Sequence, residues 1–144
     1  MEYITRLYSE VLNEVRQSKT REEKIKLLSD NKNEDMYVIF RLGYGNLESP
    51  YRNNVPEYVP DDSPQGMAYT TLHHQIPRLK YFFNTKFLIS DETFRTKKLK
   101  NILEIMHFSE AALLENIFNK KLDSYGINKT MILEVYPELL KDLG

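Results

Sequence analysis

Four prolines, Pro50, Pro56, Pro60 and Pro64, arrive every four to six residues between 46 and 68. Proline lacks a backbone donor and restricts the residue before it, so this stretch is neither a helix nor a central strand. It divides the chain into two parts joined by a long irregular loop. Such loops are uncommon inside small domains and are usually functional or disordered. Here Tyr51, Val55, Tyr58, Val59 and Met67 suggest a loop that lies on the body of the protein. Tyr51, Tyr58 and Tyr69 are then candidates for a protein interface, where aromatic residues are enriched.

On either side the apolar residues follow helical spacing. Over 3–17, Ile4, Leu7, Tyr8, Val11, Leu12 and Val15 form one stripe. Thr20 and Glu23 have the spacing of a capping box before a helix over 21–29 that buries Ile25, Leu27 or Leu28. A third helix carries Met36, Tyr37, Ile39, Phe40 and Leu42, and the pair Gly43 and Gly45 is expected to end it. Beyond the loop, a helical segment over 71–84 is complicated by Pro77, which predicts either a start near Ile76 or a kink. A fifth helix starts at Ser90-Asp91-Glu92 and runs to Met106 on a stripe of Phe94, Leu99, Ile102, Leu103 and Met106, ending beside His107, where the helix dipole favours a cation. Ser109 caps a sixth helix, and a seventh closes near Pro137. No strand or internal repeat is evident. The expected fold is all-α: an irregular or orthogonal bundle of six or seven short helices in a single domain, 1–144.

Length and composition narrow the function. At 144 residues one core is the default. The absence of cysteine excludes structural disulfides and thiolate metal sites, and no signal peptide or bilayer-spanning apolar run is present, so an intracellular, soluble protein is expected. With 20 Lys+Arg against 21 Asp+Glu, any attraction to nucleic acid must come from a local patch. His73 and His74 are adjacent and diverge on a helix, so they do not make a zinc pair. Gly43-Tyr44-Gly45 lacks the lysine and third glycine of a phosphate loop, Asp61-Asp62 suits a turn better than a cation, and no serine sits in a nucleophile motif. Neither metal nor cofactor is expected, and no positive case for an enzyme emerges.

The basic residues fall in three groups: Arg16, Lys19, Arg21, Lys24 and Lys26; Arg95, Lys97, Lys98 and Lys100; and Lys120, Lys121 and Lys129. The last group surrounds a turn in which Gly126 suits a positive φ and Asn128 suits an N-cap. A helix start with free N–H groups beside Lys120, Lys121 and Lys129 is a candidate phosphate site. Spacing alone fits an ordinary helix corner better. Arg16, Lys19 and Lys98 would extend a basic face if the fold gathers them, although interspersed glutamates can neutralise each group.

The C-terminal pattern, an apolar helix, then Lys-Lys-Leu-Asp-Ser-Tyr-Gly-Ile-Asn-Lys over 120–129, then a helix closing in Val-Tyr-Pro-Glu-Leu-Leu, resembles the end of the N-terminal DNA-binding domain of phage-type ATP-dependent DNA ligases. The opening, with Ile4 to Val15, a polar break and Lys24-Ile25-Lys26-Leu27-Leu28, resembles that domain's first two helices. Nearly full-length, the chain is also similar to small proteins of large contractile-tailed phages of marine bacteria. Those share the residues over 55–66 and Thr71-Leu72-His73-His74 with Leu79, Tyr81 and Phe82. The resemblance implies an all-helical, non-catalytic domain that clasps duplex DNA through its backbone, in the cytoplasm of an infected bacterial host, with phosphate contact at Lys121, Gly126, Asn128 and Lys129. Lys121-Leu122-Asp123-Ser124 departs from the ligase nucleophile motif at Ser124, and the catalytic domain has no counterpart.

Two functions therefore stand against each other. One is sequence-independent binding of duplex DNA by the C-terminal turn. The other is a protein-interaction module acting on a host or phage protein through the tyrosine-rich loop. Neither needs a membrane, and oligomeric state is left open.

Overall fold

The computed structural model describes residues 7–63 and 67–143. Helices α1 (Tyr8–Gln17), α2 (Arg21–Asp30) and α3 (Glu34–Tyr44) precede the proline-rich loop. After it come α4 (Leu72–Gln75), a 3-10 segment (Ile76–Phe82), α5 (Glu92–Ile105) and α6 (Phe108–Phe118). A second 3-10 turn (Leu122–Tyr125), α7 (Lys129–Val135), a third 3-10 turn (Pro137–Leu139) and α8 (Leu140–Leu143) complete the order. The fold is an irregular all-α bundle. Two isolated parallel bridges, Asp61 with His107 and Thr70 with Met106, are the only β pairing among the described residues.

Helix α6 is the spine, packing on α1, α3, α4 and α5. Ala111, Leu113, Leu114, Ile117 and Phe118 are inaccessible on it, and each large apolar side chain so buried contributes about 1.5–3 kcal/mol. Phe118 stacks on Phe83 at 5.0 Å and meets Tyr51 edge-on. At the other end of the core Tyr136 closes on Phe40 and Tyr37.

Local chemistry explains most helix ends. Thr20 and Glu23 make the reciprocal capping box, and Asn33, Asp91 and Asn128 each accept an N–H from the residue three positions on. The predicted stripe of the first helix begins before residue 7, so Ile4 lies outside the described residues. Within α1, Val11, Leu12 and Val15 are buried as expected. In α2 the buried residue is Leu28, with Ile25 and Leu27 half-buried.

Several expectations are corrected. Gly43 does not end α3: it lies inside it, where an added Cβ would stand 2.2 Å from the Cδ1 of buried Leu122. It is a close-approach glycine, and Gly45, at φ −79°, ends the helix in a conformation open to any residue. Pro77 converts the segment over 71–84 into one α turn followed by a 3-10 helix, because it occupies an early position where its missing donor costs nothing. On α5 the inward stripe is Arg95, Leu99, Ile102 and Leu103, and Phe94 faces solvent. His107 is not at a helix C-terminus in the dipole role. It is the N-cap of α6, its Nδ1 accepting the Ser109 N–H at 3.1 Å, so Ser109 sits within the first turn.

The described part of the loop, 46–63, lies on the body, as its composition suggests. Ser49 donates to the Phe82 carbonyl at 2.6 Å, the Asn53 and Val59 N–H groups reach Asn119 and Glu104, and the Phe108 N–H reaches the Asp61 carbonyl. Asp61 also accepts the Ser63 N–H at 2.9 Å, the turn role rather than the cation role.

Candidate nucleic-acid interface

The C-terminal turn is built by using up its own polar groups. Lys120, at φ 59°, sends its ammonium group into the C-terminal end of α3, where the carbonyls of Leu42, Gly45 and Leu47 accept it at 2.5, 3.1 and 2.6 Å. Helix ends leave such carbonyls without partners and favour a cation. Burial lowers the Lys120 pKa from its ordinary value. Lys120 is therefore a structural cap, which corrects its placement among the phosphate ligands.

The rest of the corner follows the same logic. Gly126 has the expected positive φ of 76°, its N–H donates to Asp123 at 2.9 Å, and its carbonyl accepts Lys24 at 2.8 Å. Asn128 spends its side chain on the Met131 N–H at 2.9 Å. Arg16 lies over the Tyr125 ring at 5.4 Å and donates to Asn13. Lys19, Lys121 and Lys129 are exposed nearby. The fold thus does bring Arg16 and Lys24 against the turn. Yet 10–30 carries five basic against five acidic residues, and Arg21 is paired with Glu134. Lys98 belongs elsewhere, on α5, which packs on α6 and the first 3-10 segment.

A different segment has the charge. Residues 78–100 carry seven basic and two acidic side chains, in a chain whose net charge is −1. Arg95 is turned inward, donating to the Tyr51 hydroxyl and the Ile89 carbonyl at 2.9 and 2.7 Å. The other six are exposed. Among the described residues, Lys80, Lys86, Lys97 and Lys98 join no ion pair.

Exposed aromatic rings accompany these lysines. Phe82 and Phe83 enter the core, which leaves Tyr81 outside. The turn that follows is tied by Thr85, which donates to the Lys80 carbonyl and accepts the Phe87 N–H, and by the Ile89 N–H on the Tyr81 carbonyl at 3.1 Å. Phe87 is thereby held out, 46% exposed, with the Lys80 ammonium 4.5 Å and the Lys86 ammonium 5.3 Å from its ring centre. Lys80 also reaches the Tyr81 ring. On α5 the outward residues Phe94, Lys97, Lys98 and Asn101, with Lys100 and Glu104, line a shallow groove of about 450 Å³, and Lys98 lies over Phe94. A cation over a ring is a weak, hydrated contact at the surface, easily exchanged.

The three loop tyrosines separate. Tyr51 is buried, its hydroxyl held by Arg95 and Thr96, and so is unavailable to a partner. Tyr58 is half-buried and donates to Glu115 at 2.5 Å, and burial, with that carboxylate beside it, raises the phenol's pKa. Tyr69 alone is open, at 93% exposure. It joins exposed Val59, Met67 and Phe108 where the loop is pinned to the α5–α6 junction.

Two titratable groups were not foreseen. Asp35 of α3 accepts the Tyr8 hydroxyl at 2.5 Å and pairs with His73 Nδ1, tying α1 and α4 to α3. Glu110, 1% exposed, accepts N–H groups from Leu72, Tyr8 and Ser9 at 2.7, 3.1 and 3.4 Å. Burial pushes its carboxyl up, and the three N–H donors and nearby His107 offset part of that. Both are long-range contacts that periodicity cannot show. No group of three or more potential metal ligands occurs among the described residues, and no helix there is long and apolar enough to cross a membrane.

No protein-family model, curated protein or solved structure matches the chain.

Proposed function

We propose that this protein is a non-catalytic accessory factor that binds DNA through its phosphate backbone, without reading sequence. The observation that carries this is the concentration of positive charge over 78–100, displayed on exposed lysines that join no ion pair among the described residues. Backbone contacts of this kind position a protein on DNA and carry no base information. The likeness to the ligase domain supports the same class of ligand but points to the C-terminal turn, whose groups are mostly engaged within the fold. A phage protein working in the cytoplasm of an infected bacterium is the setting that likeness implies.

Fluorescence anisotropy with a labelled duplex of mixed sequence tests the proposal. Four lysine–phosphate contacts predict a slope of log K against log salt of about −3 to −4. Reversing Lys80, Lys86, Lys97 and Lys98 to glutamate abolishes binding. Full retention of affinity in that variant overturns the assignment.

A second function, docking on a protein partner, is favoured by one observation: the exposed cluster of Val59, Met67, Tyr69 and Phe108. Met67→Ser with Tyr69→Ser leaves DNA binding unchanged and, on that alternative, removes partner capture.

A further inference from the structure

We infer that the 78–100 face is built for an unpaired strand, and that the preferred ligand is single-stranded nucleic acid or a DNA end with unstacked bases. This rests on the DNA-binding proposal above and names its ligand more closely. Lysines alone would suit duplex and single strand equally. The rings make the difference.

Tyr81, Phe87 and Phe94 are all exposed, on a protein that buries Tyr51, Phe40, Phe82, Phe83 and Phe118 completely or nearly so. Each of the three has a lysine ammonium within 5.7 Å of its ring centre. A paired base has its faces covered by its neighbours in the stack and offers nothing to such a ring. An unpaired base does, and proteins that hold single strands without sequence preference combine a basic track with aromatic platforms. The lysines over the rings here occupy the place a base would take. On a flexible four-carbon stem an ammonium leaves a ring readily and moves to the adjoining phosphate, so base and phosphate are engaged together.

The charge pattern fits the same ligand. Lys86 stands beside Phe87 in the turn at 83–88, and Lys97, Lys98 and Lys100 share the outer side of α5 with Phe94; of the acids nearby, Asp91 is occupied in capping, and Glu104, which lines the same groove, accepts the Val59 N–H. The Phe87 backbone is held by Thr85, whose hydroxyl accepts its N–H. Its exposure is a property of the turn, retained in the free protein.

The chain has no tryptophan, which provides a direct probe. Phe87→Trp introduces a single indole on the platform, and its fluorescence is read while a twenty-nucleotide oligothymidylate, the same strand built of abasic sites, and a twenty-base-pair duplex are added in turn. The expected result is quenching by oligothymidylate alone, with affinity for it about tenfold above both the abasic strand and the duplex. Tyr81→Ala with Phe87→Ala lowers the affinity for oligothymidylate about tenfold and leaves that for duplex within twofold. Equal affinity for all three ligands, lost only with the lysines, overturns the preference for unpaired bases while leaving the backbone proposal standing. Absence of binding to any of the three overturns both. Lysine-dependent binding to vesicles containing anionic lipid, with none to the oligonucleotides, assigns the face to a membrane surface and also overturns both.

Discussion

Lys120 and Lys80 are the same residue with opposite fates. Lys120 stands at a corner where α3 ends, and the carbonyl of Leu42 in its last turn with those of Gly45 and Leu47 just beyond take its ammonium group. Lys80 stands on the first 3-10 segment, with no carbonyl or carboxylate bound to its ammonium among the described residues, and it rests over two rings. The difference lies in the surroundings. A lysine next to unpaired acceptors is spent on the fold, and a lysine without them remains available to a ligand. Glu110 is the acidic counterpart of Lys120, an interior charge committed to three backbone donors.

The contrast between inward and outward charge can be broken by substitution. The largest effect belongs to Glu110→Ala, which strands three N–H groups in the core and should cost about 3 kcal/mol or more in urea unfolding. The same carboxylate gives a pH signature. Its folded pKa is raised above the unfolded value of 4.5, so the native state binds more protons in that window. Stability therefore falls as pH rises from about 4.5 through the raised value, and Glu110→Gln removes that slope from the thermal midpoint measured between pH 4.5 and 7.

Next in size is Lys120→Met, which keeps the side-chain bulk but leaves the α3 carbonyls unpaired, at about 2 kcal/mol. If Lys120 is purely structural, the folded variant binds oligonucleotides as the parent does, and a tenfold loss would erase the distinction between the two lysines. Gly126→Ala imposes a Cβ at φ 76° and is expected to cost about 1–2 kcal/mol, again without changing binding. The smallest effect on stability is that of Lys80→Ala with Lys86→Ala. The melting temperature should stay where it is while oligonucleotide affinity drops at least tenfold. A shifted melting temperature would mean that these lysines also serve the fold.

Most of the fold was legible because its signals are local. The Thr20–Glu23 box, the Asn128 cap and the positive φ of Gly126 each depend on residues within a few positions of one another. Helix α5 shows where local reading went astray. Arg95, Leu99, Ile102 and Met106 have the correct spacing for one stripe, but hydrophobicity favours Phe94 over charged Arg95 for the inward place. The fold reverses that choice because the Tyr51 hydroxyl and the Ile89 carbonyl receive the guanidinium inside. Tyr51 was misassigned to an interface for the same reason, its partner being 44 positions away. Of the candidate site, Lys98 belongs to the charged segment 78–100. The density of lysines over 78–100 was visible in the sequence, whereas the exposure of Phe87 and Phe94 depends on which rings the core accepts.

The place of α6 in the chain sets a clock. Tyr8 and Ser9 find their acceptor in Glu110, 102 and 101 residues later. At ribosomal speeds of ~5–20 residues per second, the start of α1 waits roughly 5–20 s for its partner to be synthesised. Throughout that interval Val11, Leu12 and Val15 have no spine to cover them. Until α6 emerges the stripe has only α2 beside it, so the N-terminal helices gain their full cover late in folding.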